Sequence, residues 1–193
     1  MTIPVTIPGP FRGKRIVIDA CVLYPTVLRE MVLGVAGQGL FVPLWSDRLL
    51  EEWARAVARL GPVQEAQVRG EIALLRAAWP HASVTPRQGD LARLYLPDEN
   101  DVHVLAAAIA GSADLILTLN ARDFPRHTLA EEGLARIDPD GLLTRLWLSD
   151  PAAVATVAET VLAEAERLDN APHDLRKLLK KAGLPRLAKA ITA

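Results

Sequence analysis

Short, unbroken apolar runs that end on a polar residue constrain this chain more than any other feature. Ile16, Val17 and Ile18 stand in a row within residues 15–20 and are followed at once by Asp19. A strand of this kind has no polar face, so both faces are covered, as in the parallel sheet of an α/β protein. Residues 40–44 and 115–119 repeat the pattern, and 82–85 and 136–137 are shorter candidates. Between them the apolar residues fall at helical spacing: Val27, Leu28, Met31, Val32 and Val35 over 26–38, then Leu49, Leu50, Trp53, Val57 and Leu60 behind Ser46, a plausible N-cap. Gly61-Pro62 ends the second of these, a further helix covers about 63–79, and Val104, Leu105, Ala108 and Ile109 line another that Gly111 closes. Strands alternating with helices of ten or more residues predict an α/β layer fold with a mainly parallel sheet.

After Asp150 the pattern changes. Pro151 opens an alanine-rich helix to about Leu168, Asn170-Ala171-Pro172 breaks it, and a basic helix to about Ala182 precedes a short final one. Two regions are expected, 14–148 and a helical extension over 151–193. The 22 basic and 23 acidic residues nearly cancel, yet no acid follows Asp174 while Arg176, Lys177, Lys180, Lys181, Arg186 and Lys189 do.

A single cysteine, Cys21, forms no internal disulfide and excludes the cysteine-rich zinc classes. The opening stretch is broken by Pro4, Pro8, Pro10 and Gly13 and lacks the apolar centre of a signal peptide, and no window reaches the length of a membrane span. A cytoplasmic protein with no membrane partner is the expectation.

In an open parallel sheet, ligands bind beyond the carboxyl ends of the strands. Asp19 ends the first strand, Asn120 and Asp123 follow residues 115–119, and Asp98 and Asp101 start the helix between. Right-handed crossovers bring these ends to one edge, where carboxylates repel one another unless a cation joins them. Hard oxygen donors favour Mg2+ or Mn2+, and the histidines His81, His103, His127 and His173 are too scattered for zinc. Of Glu51 and Glu52 only one can face the crevice, and Glu52, beside the stripe of Leu49 and Trp53, is preferred. The bland alternatives are helix capping for Asp98, Asn100 and Asp101, a turn for Asp123 and solvated positions for the glutamates. Asp19 resists such a reading, because an acid directly behind an Ile-Val-Ile strand is costly unless paired or metal-bound. Cys21 lacks the arginine six residues on that a phosphatase-type loop needs, since position 27 is valine, and reads as a small buried side chain. Trp45, Trp53, Trp79 and Trp147 read as core.

Four ordered segments, Val-Ile-Asp-Ala-Cys-Val-Leu-Tyr-Pro (17–25), Trp-Ser-Asp-Arg-Leu-Leu-Glu-Glu-Trp (45–53), Leu-Pro-Asp-Glu-Asn-Asp-Val-His-Val-Leu-Ala-Ala-Ala (96–108) and Leu-Thr-Leu-Asn-Ala-Arg-Asp-Phe-Pro (117–125), resemble the motifs of PIN-domain proteins, most closely the VapC-type toxin nucleases. The resemblance implies a three-layer PIN-like α/β fold and a metal-dependent ribonuclease with Mg2+ (or Mn2+) as cofactor. Its acids map to Asp19, Glu52 and Asp101, with the fourth acidic position held by Asn120 or shifted to Asp123. It also implies RNA as substrate, a homodimer, and an antitoxin partner that inserts a basic side chain into the acidic site. The C-terminal helices look like the extension of one branch of that group. The chemistry allowed is in-line attack of metal-activated water on a backbone phosphate. Because acids repel RNA, cations must surround the crevice. Arg29 and Arg122 are the candidates, and His103, two residues past Asp101, reads as a cap or a substrate contact.

Two other functions compete. Phosphoryl transfer through an aspartyl-phosphate at Asp19 would need a second aspartate two residues later, where Cys21 stands. A PIN-like fold without turnover, binding RNA or a partner protein, is the other; Asn120 favours it and the three main acids oppose it.

Overall fold

The computed structural model describes residues 11–192; the prolines at 4, 8 and 10 lie outside them. Among the described residues the sheet has four strands, β1 (Arg15–Ile18), β2 (Val42–Leu44), β3 (Leu115–Leu117) and β4 (Ala135–Ile137), all parallel in the order β2-β1-β3-β4. Ile16, Val17, Ile18, Leu115, Ile116 and Leu117 are fully buried, as runs without a polar face require. The helices are α1 (Ala20–Leu23), α2 (Thr26–Gly37), α3 (Asp47–Ala58), α4 (Pro62–Ala78), α5 (Gln88–Arg93), α6 (Val102–Ala110), α7 (Arg126–Glu131), α8 (Pro139–Ser149), α9 (Pro151–Asp169), α10 (Leu175–Lys181) and α11 (Pro185–Ile191), with a 3-10 turn at Glu99–Asp101. They flank the sheet to give the expected three-layer α/β fold with a parallel centre.

The sequence overstates several strands. Leu40 and Phe41 are buried but lie in the turn that Gly39 makes at φ +72°, so β2 starts only at Val42. Thr118 and Leu119 leave the β3 ladder; Leu119 is half-exposed. Residues 82–85 form a single bridge, Ser83 against Trp45, rather than a strand. Ser46 does cap α3, accepting from the Leu49 N–H at 3.3 Å.

Helices α9 to α11 share the core of the sheet rather than standing apart. Val154, Val157, Leu179, Leu184 and Leu187 are buried in the same apolar cluster as Leu28, Val32 and Leu143. The approach of α2 to α9 is close: a Cβ built on Gly34 would lie 2.5 Å from Val157 Cγ1. Asp140 of α8 ties down α11, its carboxylate accepting from the backbone N–H groups of Arg186 and Leu187, each at 3.0 Å, and from Arg186 Nε. No described helix is long and apolar enough to cross a membrane.

The strand order places β1 and β3 side by side with their crossovers departing in opposite directions. That is the switch point at which an open parallel sheet forms a crevice.

Candidate metal centre

Asp19 follows β1 directly, and its N–H bonds to the Leu117 carbonyl at 3.0 Å, so it leaves the sheet at the switch point beside the end of β3. Its side chain is 7% exposed. Thr118, the first residue past β3, donates its hydroxyl to Asp19 Oδ2 at 2.7 Å, and the Cys21 thiol donates to the same oxygen at 3.1 Å. Both bonds fall on Oδ2, which leaves Oδ1 without a protein donor among the described residues. Cys21 also accepts from the Leu119 N–H, and burial followed by the charge of Asp19 pushes its thiol up to about 12. It therefore stays protonated as a donor that orients Asp19, with no thiolate to act as nucleophile.

Two loops complete the centre. The turn ahead of α6 and the loop past β3 bring Asp98, Asp101 and Asp123 together, with one carboxylate oxygen from each within 4.8 Å of the others. Burial, then the charges of Asp19, Asp123 and Asp98 in that order, raise the Asp101 carboxyl from 3.8 to about 6. Asp19 thus lies within electrostatic reach of the trio. No lysine or arginine forms an ion pair with Asp19, Asp98, Asp101 or Asp123 among the described residues, so their repulsion is not offset by the protein. Three or four converging carboxylates without a cationic partner suit a hard divalent cation. Residues present and group implied therefore fit.

Glu52 and Glu51 point to different neighbours. Glu51 pairs with Arg55 and Arg69. Glu52 accepts from Arg48 Nε at 3.1 Å, and the same guanidinium donates to the carbonyl of Asn100, inside the acidic turn. His103 Nε2 lies 2.9 Å from Glu52 Oε1, at a close contact off the axis of its N–H. Burial would raise the Glu52 carboxyl, but His103 and Arg48 outweigh it and hold it below the ordinary carboxylate range. Glu52 is thus attached to the turn that carries Asp101 without belonging to the 4.8 Å trio.

Residues 15–122, more than half of the chain, match the family model described as PIN domain. The chain belongs to the PIN-domain family. Set against curated proteins and solved structures, it matches none. PIN domains are generally metal-dependent nucleases, and this one has a cluster of acidic residues that could hold a metal.

Within this PIN domain the residues singled out from sequence have separate fates. Asp101 and Asp123 meet, Asp19 lies outside the 4.8 Å trio but within electrostatic reach of Asp101, and Asn120 turns its amide nitrogen onto Asp123 Oδ2, fixing that carboxylate. Arg122 is exposed between them. Arg29 does not border the crevice. Its side chain is 7% exposed, donates to the Leu23 carbonyl and to Glu71 at 2.8 Å each, and stacks 4.7 Å from the centre of the Trp53 ring. A cation so enclosed is not offered to RNA; it is a structural pair. His103, 2% exposed, is likewise closed to substrate and serves Glu52. Asp98, read from sequence as one of the acids at this edge with capping as the alternative, joins the trio and also caps the turn, accepting from the Asn100 N–H at 2.9 Å.

Proposed function

We propose that this PIN domain is a divalent-metal-dependent ribonuclease that hydrolyses RNA phosphodiester bonds in the cytoplasm as the toxin of a toxin–antitoxin pair. The observation that carries the reading is the convergence of Asp98, Asp101 and Asp123, with Asp19 alongside, at the switch point of a PIN-family sheet. Asp19, Asp101 and Asp123 are the residues that would hold Mg2+ or Mn2+, with Asp98 as a further donor. When bound, such a cation stabilises charge developing on the phosphate and makes water a better nucleophile.

The chain's own residues supply the rest. Thr118 and Cys21 fix Asp19, and Asn120 fixes Asp123, so ligand geometry is set before substrate arrives. Glu52, kept ionised by His103 and Arg48, is the acid we assign to accept a hydrogen bond from the attacking water. Exposed Arg122 is the cation nearest the cluster in sequence, where a phosphate would sit. Tyr24, one turn past Asp19, is 41% exposed, and Leu119, beside Asn120, is 50% exposed, which gives bases an apolar surface to rest on. A homodimer and an antitoxin whose basic side chain enters the acid cluster belong to the same reading.

Purified protein incubated with mixed single-stranded RNAs, with Mg2+, Mn2+ or chelator, beside an Asp19→Asn variant, tests it. Cleavage that needs metal and Asp19 is the expected result. Cleavage that survives Asp19→Asn, or no cleavage with either metal, rejects it, and RNA binding without cleavage would favour the inert PIN fold. Expression with and without the neighbouring reading frame tests the toxin assignment by growth.

A further inference from the structure

Helix α10 carries Arg176, Lys177, Lys180 and Lys181 on its exposed side, while Leu179 is buried and Leu175 and Leu178 pack on the core. None of the four cations has a carboxylate partner among the described residues. Elsewhere the basic side chains are largely engaged: Arg12, Arg48, Arg55, Arg69, Arg76 and Arg93 all hold acids. A solvated helix face explains exposure, but it gives no reason for four unpartnered cations on seven residues.

Their place relative to the acid cluster follows from the fold. Asp19, Thr118 and Asp138 come directly after β1, β3 and β4, which are adjacent in the sheet. Neighbouring strands lie about 4.8 Å apart, so Asp138 stands about 10 Å from Asp19 along the same edge. Arg186, at the start of α11, is clamped there, its guanidinium on both Asp138 and Asp140. Only Ala182, Gly183, Leu184 and Pro185 separate it from Lys181.

The other end of α10 is fixed by α9. Helix α8 descends from Asp138 to Asp150, which Arg12 meets just ahead of β1, at the opposite edge of the sheet. Helix α9 turns back along α8 and α2, and has 19 residues against the 11 of α8. At about 1.5 Å per residue it overshoots the carboxyl edge by about 12 Å. From that height the chain returns through α10 to Arg186. Helix α10 therefore lies toward the carboxyl end of the sheet, packed on α2, α9 and α11.

We propose that α10 is a phosphate-binding ledge that holds the RNA strand outside the metal centre. This rests on the ribonuclease reading and adds the stretch of substrate the enzyme grips. The acid cluster repels a polyanion, so affinity must come from elsewhere, and Arg176, Lys177, Lys180 and Lys181 supply it without reading sequence. RNA too short to span from Asp19 to α10 gains nothing from them, whereas longer RNA gains with each phosphate neutralised.

The test is the full-length protein with Arg176, Lys177, Lys180 and Lys181 all changed to glutamine, which keeps the helix-forming tendency. Binding of single-stranded oligouridylates of about 4 and about 16 nucleotides is measured in chelator over a range of salt, and cleavage of both is measured with Mg2+. The variant should bind the long RNA more weakly, with its log-log salt slope reduced by up to about 2.8, or about 0.7 per contact. Cleavage of the short RNA should be unchanged, and the wild-type preference for the long one lost. Unchanged affinity and slope, in a wild-type protein that cleaves RNA, overturn the ledge and leave the nuclease intact. Equal weakening on both lengths overturns it as well, because the effect then arises at the metal centre. A wild type that neither binds nor cleaves RNA overturns both readings.

Discussion

Removing the charge of Asp101 should stabilise the metal-free protein while destroying its response to metal. In the folded state this carboxyl is raised from 3.8 to about 6. Each pK unit corresponds to about 1.4 kcal/mol, so a shift of about two units bounds the cost of ionising Asp101 at about 3 kcal/mol. The group is only half-buried, and solvent screening reduces this to about 1–1.5 kcal/mol. The sign follows from proton binding. Between pH 4 and 6, roughly, the folded state holds a proton that the unfolded chain releases. Asp101 therefore favours folding below this window, loses that contribution as pH rises through about 6, and costs stability in full at higher pH. In chelator at pH 8, Asp101→Asn should unfold in urea with about 1–1.5 kcal/mol more stability than wild type, or melt about 2–5 °C higher. The advantage should shrink towards pH 4. Added Mg2+ at about 100 times its dissociation constant stabilises wild type by about 2.7 kcal/mol and the variant by less, so their order reverses. A variant no more stable than wild type at pH 8 in chelator would refute the account of a self-repelling cluster.

Thr118→Val, which keeps the volume but removes the hydroxyl from Asp19 and from the Asn120 N–H, should lower metal affinity about 10–100-fold by calorimetry; unchanged affinity would mean that Asp19 needs no orienting donor. Glu52→Gln should slow cleavage in a nuclease assay while Glu51→Gln does not, and the opposite pattern would reverse their assignment. Arg29→Ala should cost about 2–3 kcal/mol of stability through the lost bonds to Leu23 and Glu71, with KM for RNA unchanged at a temperature where both proteins are folded. Gly34→Ala should cost about 1–3 kcal/mol by driving Val157 away, and Val157→Ala in the same chain should recover part of it.

The sheet was legible because buried parallel strands leave no polar residue to confuse the reading, as at Ile16 to Ile18 and Leu115 to Leu117. Their ends were not, because Leu40, Phe41 and Leu119 are as apolar as the strands yet lie in turns. Helix α5 went unseen for a related reason: none of its residues is buried, so it carries no apolar period. At the site, strand ends announced Asp19, and the acid-rich turn announced Asp101. Asp98 and Asp123, 25 residues apart, could be grouped in advance because parallel strands joined by right-handed crossovers end at one edge. The burial of Arg29 and His103 left no trace in the sequence, since a charged residue on a helix looks the same whether it faces RNA or Trp53.

Asp140 sets the moment at which this protein can be finished. Its side chain is 8% exposed, and the backbone donors it accepts from lie 46 and 47 residues further along the chain. During synthesis the sheet and α8 emerge first and can assemble as the chain is released from its N-terminal end. Until Arg186 and Leu187 follow, that assembly holds a buried acid without these donors and an apolar face that Val154, Leu179 and Leu187 have yet to cover. Helix α11 thus closes this core, and a chain stopped shortly after Asp150 would retain all the cluster acids without the helices that cover it.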